Sequence, residues 1–537
     1  MYRAVDVLGF AGGFTLGMVQ AGFELVGKRE MRGGFGAPNC EANRHLLGHK
    51  WQTEAVDPVQ WSVVDAHAVF GNPPCSGFSG MSAKHFRGAH SPINHCMWAF
   101  VEYVARVRPQ VAVFESVQLA FTRSDGLELM RALRYHLEEK TGEKWTLYHV
   151  LHNAYSVGGC SQRRRYFWVV SRIPFGIEWP DVKAPLPVLD DAIGDLEHLP
   201  ESWSTQLHAQ SPYASDWAFP RIRLDGHVDG HISVRNPLTQ RVVDLMQGVE
   251  WKPGEHLAQV ARRYYATHGK LPNSWKASAS KVVASNFRMG FNTPVRWRGN
   301  EAARVITGSG CLTAIHPRQP RTLTHREVAR VMGFPDAWLI APLKGTPGLS
   351  MTWGKGITVD CGRWIGSQIC FALNENPGTV TGLKIGEREH LIDVTNAWAT
   401  SVVQLTPQVR KHQKLLTGGK IMTEPVPAPE TAEAAPTTAG KGRPRPAATV
   451  ELDAKGLELI KTNEAGLTKE QLAEQLGVEV SKAYLVTYRL RTQGEIHKER
   501  VDGKYVWKTG AAAAPSEAGP ETAAVAPAEA PVAPVAI

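Results

Sequence analysis

Asp6-Val7-Leu8-Gly9-Phe10-Ala11-Gly12-Gly13-Phe14 is the stretch on which the fold turns. A short apolar strand runs into a glycine-rich turn, and a helix follows. Glycine has no side chain to hold a ligand away, so such a turn lets a cofactor approach the backbone. Glu30 follows roughly 20 residues later, where an acid often holds ribose hydroxyls. Taken alone, the stretch is equally a tight strand-to-helix turn with a surface acid behind it.

Residues 1–175 continue the alternation. Arg3–Leu8, Val63–Phe70, Val111–Phe114 and Tyr166–Val170 have the apolar content of strands, and His95–Arg108 and Gly126–Glu139 have helical spacing. Strands alternating with helices predict an α/β fold with a doubly wound, Rossmann-like sheet, which binds ligands at the carboxyl ends of its strands.

Three motifs fall at those ends. Gly71-Asn72-Pro73-Pro74-Cys75-Ser76-Gly77-Phe78-Ser79 sets a cysteine on a proline-fixed loop. Its thiolate is a nucleophile wherever a cation or helix terminus raises its population; a buried structural cysteine is the bland alternative. Val113-Phe114-Glu115-Ser116-Val117 ends a strand in an acid at the same rim, placed to protonate a ring nitrogen or simply to be solvated. Gln162-Arg163-Arg164-Arg165-Tyr166-Phe167 enters a further strand, and alternation sends Arg163 and Arg165 to one side and Arg164 to the other. A basic surface run is the alternative there.

Together these elements resemble the DNA (cytosine-5)-methyltransferase family. Arg321-Thr322-Leu323-Thr324-His325-Arg326-Glu327-Val328-Ala329-Arg330-Val331-Met332-Gly333-Phe334-Pro335-Asp336 is similar to that family's ninth motif, and Gly354-Lys355-Gly356-Ile357-Thr358 to its last. The motifs stand in the family's order over about residues 1–375. The resemblance implies an S-adenosylmethionine-dependent enzyme that flips a cytosine out of double-stranded DNA and methylates C5 through a covalent Cys75 adduct. It makes Cys75 the attacker of C6, Glu115 the partner of N3 and the exocyclic amine, Arg165 the contact to O2, and Arg163 a support of the nucleophile loop. It assigns Asp6, Leu8, Gly12, Gly13, Phe14, Glu30, Asp57, Asn72, Pro73, Lys355 and Gly356 to the cofactor. It further implies a monomer, with room for a cognate restriction system. Departures mark a divergent bacterial or bacteriophage-like branch: the glycines of the first motif are displaced, and Ser76, Ser116, Ser161 and Lys355 stand where Gln, Asn, Gln and Asn are usual.

Other readings compete. Asn72-Pro73-Pro74 resembles the loop of DNA amino-methyltransferases, which would leave Glu115 and Arg165 unexplained. A non-catalytic DNA-binding protein on a methyltransferase scaffold and an RNA cytosine-5 methyltransferase are the remaining alternatives.

Composition fits the main reading. The 537 residues carry a net charge of +9, which favours an anionic partner. None of the seven cysteines forms a C-x-x-C pair, and His85, His90, His95 and Cys96 lack a common ligand spacing, so no metal is expected. With no long apolar run and no signal-peptide pattern, the expected location is the cytoplasm, away from membranes.

The pattern divides the chain into a catalytic core at 1–180, a loop-rich target-recognition domain at 185–305, and a return of the core at 306–380 with a helix at Thr324–Met332. In the target-recognition domain, Trp203, Trp217, Trp251, Trp275 and Trp297 lie among many Pro, His and Arg. Arg241, Arg262, Arg263, Lys276, Lys281 and Arg288 are its candidate DNA contacts. Residues 381–421 are an extension without clear pattern, 422–449 a Pro/Ala-rich linker and 510–537 a disordered tail. Between them, 450–509 read as a winged helix-turn-helix-like module, from the capping box Thr468-Lys469-Glu470-Gln471 and the turn Asp502-Gly503. Ser481-Lys482, Arg489 and Arg491 would make it a second DNA-binding unit, a protein-interaction domain of the same shape being the alternative. Lys441-Gly442-Arg443-Pro444-Arg445 has the form of a minor-groove hook.

Overall fold

The computed structural model describes residues 1–31, 37–48, 53–79, 87–178, 180, 186–206, 227–231, 237–276, 278–288, 293–307, 313–340, 353–376, 383–397, 447–492, 495–501 and 504–509. The Lys441–Arg445 stretch, the 510–537 tail, Trp217, His85, Cys311 and the Asp502-Gly503 turn lie outside them. The chain divides into two units, Met1–Arg445 and Pro446–Ile537.

In the first unit the strands are β1 (Arg3–Val7), β2 (Glu24–Glu30), β3 (Thr53–Ala55), β4 (Ala68–Gly71), β5 (Val111–Ser116), β6 (Thr146–Asn153) and β7 (Arg164–Ser171). The inserted region adds an antiparallel pair, β8 (Ser202–Gln206) with β9 (His227–His231), and a parallel pair, β10 (Val295–Arg296) with β11 (Ala314–Ile315). Two last strands, β12 (Leu383–Gly386) and β13 (Glu389–Asp393), rejoin the large sheet, whose order is β12-β13-β6-β7-β5-β4-β1-β2-β3.

Strands β3, β2, β1, β4 and β5 are parallel, while β7 lies antiparallel between β5 and β6. One rim therefore gathers the carboxyl ends of β1, β2, β4, β5 and β6 together with the amino end of β7. That reversal is what brings Arg165 to the rim where Cys75 and Glu115 were expected.

The sheet is sealed by aromatic packing. Phe14, at the start of helix Gly13–Gln20, has its ring centroid 5.0 Å from Phe70 and 5.6 Å from Phe167. Truncating such a ring costs about 3–5 kcal/mol. The returning segment presses on the glycine-rich turn: Gly12 has φ +94°, and a Cβ there would stand 2.7 Å from the Trp338 ring. A Cβ on Gly13 would collide with the Ile357 carbonyl oxygen. These two glycines are required by packing between the first and last parts of the core.

Several sequence expectations change. The strand expected at Val63–Phe70 is only Ala68–Gly71; Val63 is exposed, so its apolar character does not report burial. The described part of the inserted region also carries helices that the sequence reading did not include. Helices Pro237–Gly248, Leu257–His268 and Ala279–Ala284 pack around Val242, Leu245, Trp251, Leu257, Val260 and Trp275. The extension after residue 380 is in part sheet: β13 pairs parallel with β6, and Glu389 anchors it to Arg131 at 2.8 Å and His149 at 2.6 Å.

The second unit has helices Ala447–Thr462, Lys469–Leu476 and Val480–Thr492, then an antiparallel hairpin of β14 (Ile496–Val501) and β15 (Lys504–Thr509). The capping box forms as read, Thr468 and Gln471 each accepting the other's backbone N–H. Ile460, Leu472, Val486, Leu490 and Trp507 make its core. Arg489, expected to face DNA, is instead buried against Asp453, with Nε 2.7 Å from Oδ2 and Nη2 2.5 Å from Oδ1. A helix position facing the core cannot reach a phosphate. Among the described residues no helix is long and apolar enough to cross a membrane.

Candidate active site

Cys75 follows β4 and opens the 3-10 turn Ser76–Phe78, where its carbonyl accepts the Phe78 N–H at 2.9 Å. Pro73 is buried, so the loop is fixed from within, while Cys75 itself is half-buried and open to the rim. Glu115 lies near the end of β5 with 1% of its surface exposed. Its Oε1 is 3.1 Å from Arg165 Nε, and its Oε2 accepts a hydrogen bond from Asn72 Nδ2. Oε1 is buried and, despite that ion-pair distance, makes no hydrogen bond.

Electrostatics follow from this crowding. Burial raises the Glu115 carboxyl above its ordinary range, against the pull of Arg165, Arg163 and the Asn72 amide. Burial and the Glu115 charge push the Cys75 thiol up, opposed by the Val117 backbone N–H, Arg165 and the Ser116 hydroxyl. The thiol, carboxyl and guanidinium thus sense one another at a single rim.

Arg163 behaves differently from its neighbour. Its Nη1 donates to the Ile306 carbonyl at 2.7 Å, and Nη2 to those of Gly354 and Gly356 at 3.0 and 2.6 Å. It is fully buried and clamps the returning segment, whereas the expectation was support of the nucleophile loop. Arg164 is exposed, as alternation required.

The residues expected around the cofactor divide into three groups. Some are spent on structure. Asp6 is sealed under the turn, its Oδ2 accepting Thr15 Oγ1 and Lys28 Nζ, each at 2.7 Å. Phe14 is a core ring, and Asn72 is turned to Glu115. Others lie on the rim. Glu30 ends β2 with Oε1 accepting the Met31 N–H at 3.1 Å and Oε2 buried without a partner. Burial raises its pKa, with Lys28 opposing. Asp57 and Lys355 are exposed. The third group is the strained turn itself, where Leu8 (φ 61°) and Phe10 (φ 53°) hold left-handed conformations without being glycine. Each costs of order 1–3 kcal/mol, and the Leu8 N–H bond to the Arg29 carbonyl, 2.7 Å, helps hold the shape. Lys28, missed from sequence, was signalled by a lysine on the same strand face as Glu30, two residues away.

This rim lies on a mixed α/β sheet of the methyltransferase kind with an inserted region. Residues 2–370 match the family model for C-5 cytosine-specific DNA methylase. The chain belongs to that family and is a methyltransferase. Type II methyltransferase M.XorII of Xanthomonas oryzae pv. oryzae is 25% identical over 442 residues, covering 76% of this chain and 94% of that protein. Type II methyltransferase M.MthTI of Methanothermobacter thermautotrophicus is 24% identical over 370 residues, covering 68% and 97%. Among solved structures, an E. coli prophage-encoded protein crystallised as a DNA modification methyltransferase shares the fold, with a TM-score of 0.50 at 16% identity over 70% of this chain and 100% of that one.

Proposed function

We propose that this protein methylates C5 of a cytosine turned out of double-stranded DNA, with Cys75 as the covalent nucleophile. The observation that carries the reading is the convergence of Cys75, Glu115 and Arg165 on one rim. C5 of cytosine is a poor nucleophile until a group adds to C6. The Cys75 thiolate forms the bond to C6 while the Glu115 carboxyl gives a proton to N3, so the displaced electron pair is not stranded on the ring. Arg165, beside Glu115, faces the O2 side. After C5 has taken the methyl group and lost its proton to a base, the Cys75 sulfur leaves C6 with its bonding electrons, N3 returns its proton to the Glu115 carboxylate, and the ring is restored.

S-adenosylmethionine supplies the methyl group. Glu30 fits as its ribose acceptor, because a buried carboxylate oxygen without a donor calls for hydroxyl partners. The turn from Leu8 to Gly13 together with Asp57, Pro73, Lys355 and Gly356 would hold the remainder.

Phosphate contact is assigned to the insert, where residues 251–305 hold ten Lys and Arg against two Asp and Glu. Arg241 is committed to the Trp275 ring at 5.0 Å and Arg263 to Glu255; Lys276, Lys281 and Arg288 are exposed, as is Arg262, which donates to the Asn286 carbonyl at 3.1 Å. The C-terminal unit fits a winged-helix-like module, but residues 447–509 hold ten basic and ten acidic residues, so its part in phosphate binding is minor.

Random-sequence duplex DNA with 5-fluorocytosine at every cytosine of one strand tests the reading, since fluorine at C5 cannot leave as a proton. With S-adenosylmethionine, the wild type is expected to give a complex stable to denaturation and Cys75→Ala none. Absence of the complex from the wild type, or its persistence in the variant, overturns the mechanism.

A further inference from the structure

We propose that the Asn72 side-chain amide determines which oxygen of Glu115 carries a proton, and so turns the acidic oxygen toward the pyrimidine. This rests on the catalytic role given to Glu115 above. Asn72 is 6% exposed, follows β4 by one residue and stands three residues before Cys75. Its amide nitrogen donates to Glu115 Oε2. An amide nitrogen has hydrogens and no lone pair to offer. A proton on Oε2 would therefore face another hydrogen, whereas a proton on Oε1 can take the direction left open by the Arg165 N–H, which lies 3.1 Å away but makes no hydrogen bond to that oxygen. Turning the amide over sets its oxygen against a carboxylate oxygen, acceptor to acceptor, which an ionised Glu115 disfavours.

Oε1 is also the oxygen that makes no hydrogen bond, although Arg165 Nε lies 3.1 Å away. The carboxyl group is thus held at one end and left to react at the other. Burial already moves Glu115 toward protonation, and the Asn72 bond opposes that shift, so the same amide limits how far it goes. Asn72 acts through Glu115 and is a positioning residue.

Asn72→Ala, Asn72→Asp and Asn72→Ser test this in the full chain, using single-turnover transfer of labelled methyl groups from S-adenosylmethionine to unmethylated bacterial DNA across pH. Loss of the donor in Asn72→Ala is expected to slow transfer about tenfold at neutral pH, the worth of one hydrogen bond to a charged group. The limb of the pH profile that reports Glu115 is expected to move to higher pH. Asn72→Asp, of nearly the same shape, sets a second carboxyl against Oε2 and is expected to move it further. Asn72→Ser keeps a donor and should lie closest to wild type. Profiles that superimpose on the wild type, with rate losses that follow melting temperature alone, overturn the proposal. So does failure of both the Ala and Asp variants to fold, which makes the amide a structural group. The fluorocytosine complex separates the two levels: its absence from the wild type overturns the methyltransferase mechanism, whereas its presence with unshifted profiles overturns only the role of Asn72.

Discussion

Glu115 and Glu327 are both sealed from solvent beside arginine, yet their surroundings drive them apart. Glu327 takes two parallel bonds from Arg321, both 2.7 Å, and the Thr324 backbone N–H at 2.8 Å. Despite burial, these donors bring its pKa down to about 2. Glu115 receives one amide bond and one guanidinium at ion-pair distance without a hydrogen bond, and burial wins. A buried carboxylate whose oxygens are all filled ties structure together; one left a donor short stays able to exchange a proton. The return-helix arginines follow the same division. Arg330 is locked to Asp336 and Asp195, joining helix His325–Val331 to the turn Gly194–Leu196.

The contrast is broken most directly at Glu115. Glu115→Gln keeps the shape and removes the proton, so methyl transfer should fall on the order of 10³-fold with the melting temperature unchanged or raised. Parallel losses of rate and stability would place Glu115 with the structural acids. Glu327→Gln should do the reverse, lowering stability in denaturant titrations by about 3 kcal/mol while the folded fraction keeps its rate constant.

Acid sharpens the distinction between the two groups. Because the Glu327 pKa is depressed in the folded state, its stabilisation is full above the ordinary carboxylate value and is lost as pH falls toward about 2. Glu115 has a raised pKa, so its contribution is largest at low pH and declines as pH rises through the folded value. The stability gap between wild type and Glu327→Gln should therefore close on acidification, and that of Glu115→Gln should change in the opposite sense. The smallest effect expected is in DNA binding. Replacing Arg262, Lys276 and Lys281 by Gln should lower the slope of log affinity against log salt by about 2–3, while deletion of residues 446–537 should leave it nearly unchanged.

Much of the rim was legible because its residues sit at strand ends, where a local apolar run followed by Glu115 or by the Cys75 loop is visible in sequence. Side-chain direction was not. Nothing local distinguishes Arg163, which turns to Gly354 and Gly356, from Arg165, which meets Glu115. Asn72 was read with the cofactor because its partner lies 43 residues away on another strand. The helices of the insert were within reach: Leu257, Val260, Ala261 and Tyr264 repeat at helical spacing, but the tryptophan, histidine and proline content drew attention from the period. Strand β13 is five residues long, and its partner β6 is remote, so no window of sequence could show that pairing.

That remote pairing bears on how the enzyme is made. Glu389 and His149 are 240 residues apart, and the ribosome must produce everything between them before β6 gains its last neighbour. At roughly 5–20 residues per second, the nascent protein carries an uncovered backbone edge for tens of seconds. A gene shortened to end near residue 375, just past the family-like portion, would make that sticky interval permanent, and its product should accumulate as aggregate.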